Sequence, residues 1–253
     1  MPVPSLRMLP SERYLASLVA AAEATHGRPL GRGTTLVVDA ERAGTGTATC
    51  YPTPHASIVW CDASVRERLA AVETTKALSA EEFVAAATDL GATLVGYGRN
   101  RVLNGDPRQP AADLGDLAVR HVDSNDAALI AMLAELIAAC DDDDVDDADL
   151  DLDHLDPSYT LLVTPEGTIA AYASARPLVV DSSFDDIAVL THPAWRGRRL
   201  GALALCEFIR QRQTEGRRLL YRCNIENLAS NRVAELVGFT LTTTIGAVSL
   251  PTS

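Results

Sequence analysis

Residues 191–201 read Thr191-His192-Pro193-Ala194-Trp195-Arg196-Gly197-Arg198-Arg199-Leu200-Gly201. An apolar strand-like run, Asp186–Leu190, leads into this turn, and a helical pattern, Leu200–Thr214, leaves it. A strand that turns directly into a helix aims the unpaired N–H groups of the first helical turn at whatever sits in the bend. Those donors and the positive end of the helix dipole favour a phosphate or pyrophosphate. Gly197 and Gly201 remove side chains where either a ligand or the sheet must come close. Arg196, Arg198 and Arg199 add charge-assisted donors. The spacing fits neither the nucleoside-triphosphate loop nor the G-x-G-x-x-G dinucleotide fingerprint.

Thirty residues after Gly197 the chain reads Asn227-Leu228-Ala229-Ser230-Asn231-Arg232-Val233-Ala234-Glu235-Leu236-Val237-Gly238-Phe239, a turn, a short helix and a Gly-Phe stop. The two segments together resemble the GNAT superfamily of acyl-CoA-dependent N-acyltransferases. The family's pyrophosphate motif, Val-x-Pro-x-x-Arg-Gly-x-Gly-x-Gly/Ala, is met at Pro193, Arg196, Gly197 and Gly201. Thr191 stands for the Val and Arg199 for the middle Gly. The family's following motif, Asn-x-x-Ala-x-x-x-Tyr-x-x-x-Gly-Phe, is met at Asn227, Gly238 and Phe239, with Ser230 for the Ala and Ala234 for the Tyr. The resemblance covers residues 115–253.

The resemblance implies an α/β (α+β) fold with a mixed, mostly antiparallel sheet flanked by helices. It implies acetyl-CoA as co-substrate, no metal, and acyl transfer to a primary amine by direct attack in a ternary complex. The pantetheine arm is expected beside Val189, Leu190 and Thr191. The pyrophosphate is expected on Arg196, Gly197, Arg198, Arg199, Leu200 and Gly201, with Asn227 and Ser230 near the arm. Arg199 is compatible with this if its φ is helical. Members often use a carboxylate on the strand before the turn and the later Tyr as acid. Here Asp185 or Asp186 occupies the carboxylate region, and adjacent strand residues face opposite sides, so one of them can enter the cleft. Ala234 cannot be the acid. Tyr221 is a substitute, or the thiolate leaves unaided, or the protein binds CoA without chemistry.

Outward from these motifs the back half reads as strand 117–122, helix 126–140, strands 159–163 and 168–175 joined by the turn Thr164-Pro165-Glu166-Gly167, then strand 219–223, helix 229–237 and strand 239–248. The front half reads as helix 11–25 capped by Ser11, strands 34–40 and 56–60 around a Gly/Thr-rich piece, helices 64–72 and 79–90, and strand 92–97. The turn-rich stretch 104–110 serves as linker between a front domain 1–114, without a chemical motif, and the domain 115–253. By analogy with two-unit members the front could be a degenerate copy of the same fold.

The 253 residues are 47% hydrophobic, enough to bury a core without staples. The net charge is −12, and a single lysine, Lys76, accompanies the arginines. That balance argues against a nucleic-acid binder. Five cysteines without a C-x-x-C pair argue against a disulfide framework or zinc site and for a cytoplasmic protein. No unbroken apolar run is long enough to span a membrane. Ten of the 34 acidic residues are aspartates within 141–156. The tract reads either as a solvated loop of like charges or as an acidic lip that concentrates a cationic amine, a small molecule or a peptide.

Overall fold

The computed structural model describes residues 8–126, 128–178 and 181–251. It divides into two compact units. The first takes the chain up to Asn100, with Asn224–Glu226 and the stretch from Leu241 onward. The second takes Arg101–Cys223 and Asn227–Thr240. The boundary at 114 expected from the sequence is therefore displaced. The turn-rich stretch 104–110 is bound onto the second unit: Arg108 N–H donates to the Val237 carbonyl at 2.8 Å, and Gln213 Nε2 to the Gly105 carbonyl at 3.1 Å. The last strand leaves the second unit because its main chain pairs in the first.

The first unit contains α1 (Pro10–His26), β1 (Gly33–Val38), β2 (Thr47–Pro52), β3 (Ala56–Cys61), α2 (Ala80–Asp89), most of β4 (Thr93–Val102) and nearly all of β10 (Thr240–Ser249). Its strands run in the order β1-β3-β2-β10-β4. β1 is parallel to β3; β2 is antiparallel to β3 and to β10. α1 starts one residue earlier than Ser11: Glu12 reaches back to the Leu9 N–H at 2.9 Å, and Gly27 at φ +76° ends the helix. Tyr14, Leu18 and Ala22, one turn apart, form its buried face. α2 carries the reciprocal Ser79–Glu82 capping box that the sequence shows.

Two front-half readings differ from the structure. The Gly/Thr-rich piece contains a strand, β2, whose residues alternate against β3 in register Thr49↔Trp60. Residues 64–72 form two short 3₁₀ turns, Ala63–Val65 and Ala70–Val72, rather than one helix. The Asp62 carboxylate accepts from both Ser64 N–H and Gly46 N–H, which fixes a tight local turn. Val65, Leu69 and Val72 still reach the core.

The second unit contains β5 (Ala118–Asp123), α3 (Leu129–Ala139), α4 (Asp142–Asp147), β6 (Ser158–Val163), β7 (Ile169–Pro177), β8 (Phe184–Thr191), α5 (Leu200–Thr214), all but the last residue of β9 (Arg218–Asn224) and α6 (Leu228–Val237). Strand order is β5-β6-β7-β8-β9, antiparallel as far as β8, with β9 parallel to β8. One core joins α5 to β7, where Ala170, Ala171, Ala173 and Ala175 leave room for a helix buried along most of its length. A second core lies under α3, whose Leu129, Leu133 and Leu136 share a cluster with Tyr159 and Tyr172, two rings in edge contact at 5.8 Å. The aspartate tract is not a simple loop. It opens with the short helix α4, and Leu150, Leu152 and Leu155 behind it pack against the α3 core.

Candidate functional site

β8 pairs with β7 along its length, to Thr191↔Ala171. On its other side the parallel register with β9 runs from Phe184↔Arg218 to Asp186↔Leu220 and stops. From Ile187 to Thr191 the two parallel strands splay apart, and the β9-facing edge of β8 keeps its main-chain donors and acceptors for another occupant. A groove of about 410 Å³ fills the splay. Its walls are Val189–Thr191 of β8, Arg196–Ala202 at the start of α5 (Arg198 apart), Tyr221 of β9, and Asn227, Ser230 and Val233 at the start of α6.

The turn is built by local rules. His192 Nδ1 accepts from Ala194 N–H at 3.2 Å, and Pro193 starts a single 3₁₀ turn to Trp195. Gly197 has φ +78° and open space where a Cβ would project, so the bend leaves a gap beside the helix start. Arg199, at φ 63° and ψ 19°, takes the left-handed conformation that the motif's glycine would take. The helical φ expected for Arg199 is therefore corrected; its guanidinium donates to the Ala111 carbonyl at 3.2 Å. Gly201 also has a definite reason. A Cβ there would lie 2.7 Å from Thr191 Oγ1 and 3.2 Å from Val189 Cγ1, so it is the sheet, not a ligand, that demands the missing side chain. Arg198 stacks on Trp195 at 4.8 Å from the ring centroid. A hollow of about 750 Å³ lies beside the same turn, bordered by residues 111–117 and the β6–β7 turn.

On the α6 side Asn227 caps the helix, its Oδ1 accepting from Ser230 N–H at 2.8 Å. Tyr221 is buried, its ring 5.4 Å from that of Phe239 and its hydroxyl 3.0 Å from Ser230 Oγ. Burial pushes the Tyr221 pKa up, so the hydroxyl stays protonated across the ordinary pH range. Ala234, one turn beyond Ser230, is fully buried. Arg101 also supports this helix: it lies buried and donates to Asn231 Oδ1 at 2.6 Å.

The two adjacent aspartates face opposite sides. Asp185 is fully buried; its Oδ2 accepts from Arg212 at 2.7 and 2.9 Å and its Oδ1 from Arg217 at 3.0 Å. It braces α5 and the start of β9 and does not line the groove, which removes it from the catalytic candidates. Asp186 faces a small cavity of about 80 Å³ next to the groove; the two share Asp147 and Ala148 in their walls. Asp186 Oδ2 accepts from Arg222 at 2.9 Å, and its Oδ1 is buried with no protein partner.

Sequence reasoning missed α4 at this site. Asp144 Oδ2 accepts from Arg196 Nη2 at 2.6 Å, and Asp147 Oδ2 accepts from Asn227 Nδ2 at 2.5 Å. Both aspartates line the groove. The density of aspartates was visible in the sequence, but nothing there paired them with residues 50 to 80 positions onward.

No protein-family model and no curated protein sequence matches the chain. Solved structures do. A tandem GNAT protein from the clavulanic acid biosynthesis pathway is 14% identical, with a match covering 99% of this chain and 72% of that one at a TM-score of 0.50. A GCN5-related N-acetyltransferase from Kribbella flavida is 19% identical at TM-score 0.49; the match covers 67% of this chain and only 64% of that one. A GNAT-family acetyltransferase from Colwellia psychrerythraea is 13% identical over 74% of this chain and 71% of its own, at 0.48. The chain carries the GNAT fold, and the match to a tandem GNAT protein runs through the N-terminal part as well as the C-terminal one.

Proposed function

We propose that the second unit is an acyl-CoA-dependent N-acyltransferase that takes acetyl-CoA and a primary amine. The observation that carries this reading is the splay between β8 and β9, opening onto the first turn of α5. A free strand edge suits an amide-bearing arm, and a helix start with Arg196 suits a pyrophosphate. Val189–Thr191 would hold the pantetheine arm. Arg196, Gly197 and the N–H groups at Arg199–Gly201 would hold the pyrophosphate, with Arg198 on its outer side and Asn227 and Ser230 across the groove. The open space at Gly197 fits such a ligand.

Acetyl-CoA supplies an acyl group activated as a thioester. The chain's own residues supply the proton chemistry. Attack needs a neutral amine, and Asp186, in the cavity beside the groove and with one carboxylate oxygen unpartnered, would accept the amine's proton. Tyr221 holds a proton beside Ser230 for the departing sulfur, a role that Ala234 cannot fill. Among the described residues no cysteine lines the groove, and the Ser230 hydroxyl pairs with Tyr221 rather than with a base, which favours direct attack. The acidic α4 surface favours a cationic amine or peptide as acceptor. The cysteine usage supports a cytoplasmic protein, and the acidic balance supports one that does not bind nucleic acid; among the described residues no helix is long and apolar enough to cross a membrane.

A second reading has one specific observation behind it. Ala234 is sealed in the core and offers no acid, as in a GNAT-like protein that binds CoA for regulation. Calorimetry with CoA, followed by thiol release from acetyl-CoA against a panel of primary amines, separates the two. Binding with release supports the transferase, binding without release the regulatory reading, and neither overturns both.

A further inference from the structure

We infer that α4 is a carboxylate strap that competes with an anionic ligand for Arg196 and Asn227, so that the groove admits such a ligand by exchange of partners. The inference rests on the acyl-CoA reading and adds a selectivity element to it. The two contacts cross the groove in different directions. Asp144 takes the arginine of the turn before α5, and Asp147 takes the cap of α6. The motifs assign the first of these residues, Arg196, to the pyrophosphate and the second, Asn227, to the neighbourhood of the pantetheine arm. Asp144 and Asp147 lie three positions apart, on one face of α4.

The strap is tied at its far end. Ala148 is buried. Asp149, at φ +49°, pairs with Arg176 Nη1 at 2.9 Å, and its carbonyl accepts from Arg176 Nη2 at 3.0 Å. Leu150, Leu152 and Leu155 then anchor the chain in the α3 core. Between Asp142 and Asp147 there is no basic residue to neutralise the helix internally. Two of its carboxylates, those of Asp144 and Asp147, are answered from the groove walls instead. Asp144 and Asp147 act through Arg196 and Asn227, which makes them positioning residues rather than catalytic ones.

The test is calorimetry of the full chain with CoA and with pantetheine, which lacks every phosphate. Exposed ion pairs contribute modestly, so Asp144→Asn and the double variant Asp144→Asn/Asp147→Asn should bind CoA about 3- to 10-fold more tightly than the parent. For Asp144→Asn, whose freed partner Arg196 is assigned to the pyrophosphate, affinity for pantetheine should not move. Asp143→Asn removes the same charge from an exposed position of the same helix and should bind CoA like the parent. Unchanged or weaker CoA binding by the first two variants overturns the exchange. So does an equal gain in Asp143→Asn, which would mean a general field, or an equal gain for pantetheine, which would mean a steric lid. A parent chain that binds no CoA fails at the earlier step: it overturns the acyl-CoA reading itself, and the exchange with it.

Discussion

A methyl group added at Gly201 would stand 2.7 Å from the hydroxyl of Thr191. The helix α5 and the strand β8, joined by the turn between them, are thus packed without room for one carbon. Gly201→Ala should destabilise the second unit by about 1–3 kcal/mol, the usual cost of overpacking, despite alanine's better helix propensity. Thr191→Ala in the same chain should recover much of the loss. Chemical denaturation of the single and double variants measures both, and additive effects would refute the contact.

Arg199 tests the backbone of the same turn. Left-handed φ costs a non-glycine residue about 1–2 kcal/mol. Arg199→Ala keeps that strain and loses the bond to the Ala111 carbonyl, whereas Arg199→Gly loses the bond but relaxes the strain. The glycine variant should be more stable than the alanine variant by about 1 kcal/mol, seen as a higher Tm.

Asp185 and Asp186 should separate cleanly. Asp185 is the sole carboxylate of a buried ion triad with Arg212 and Arg217, and breaking such a pair costs about 3–5 kcal/mol. Asp185→Asn should therefore lower Tm sharply. Asp186→Asn removes one half-exposed pair with Arg222, and should cost under about 1 kcal/mol while lowering kcat by about 100-fold or more. A rate loss in Asp185→Asn that outlasts correction for folded fraction, with full activity in Asp186→Asn, would reverse the assignment.

Burial raises the pKa of Tyr159 to about 12 and pushes those of Tyr172 and Tyr221 up as well. An unfolded tyrosine ionises near its ordinary value of about 10. Above that pH the unfolded chain binds fewer protons than the folded one, so stability present at neutral pH is lost as pH rises. Native absorbance titration should show these three rings ionising only with the unfolding transition. The thiols behave alike: Cys50 lies at about 12, and Cys61 and Cys206 at about 11, each raised chiefly by burial. They should resist a thiol reagent at pH 8 until the chain is denatured.

The shape of the turn between β8 and α5 was legible because it is built locally. A Pro, an Arg-Gly pair and a glycine facing a strand are fixed within eleven residues, and the structure builds the turn from those same residues. Helices with strong caps, such as α2, were legible for the same reason. Arg199 was misread because side-chain type alone does not report φ; its conformation is imposed by the bend on either side. β2 was hidden because Gly44 and Gly46 beside it read as turn, while its pairing with β3 and β10 is a tertiary fact. The role of α4 was hidden more deeply, since carboxylate partners far along the chain leave no periodic trace. Likewise Asp185 and Asp186 are identical in sequence and differ only in which face of β8 each occupies.

β10 pairs with β2 in register Ala247↔Thr49, joining an early and a late segment of the sequence in one sheet. During synthesis from the N-terminus, the first unit therefore has no completed sheet while the second is being made. Its β2 waits with one edge bare until β10 leaves the ribosome. Vectorial folding is thus inverted: the unit encoded first is the unit closed last, and a chain stopped before residue 240 leaves an edge open to aggregation in the half it has already finished.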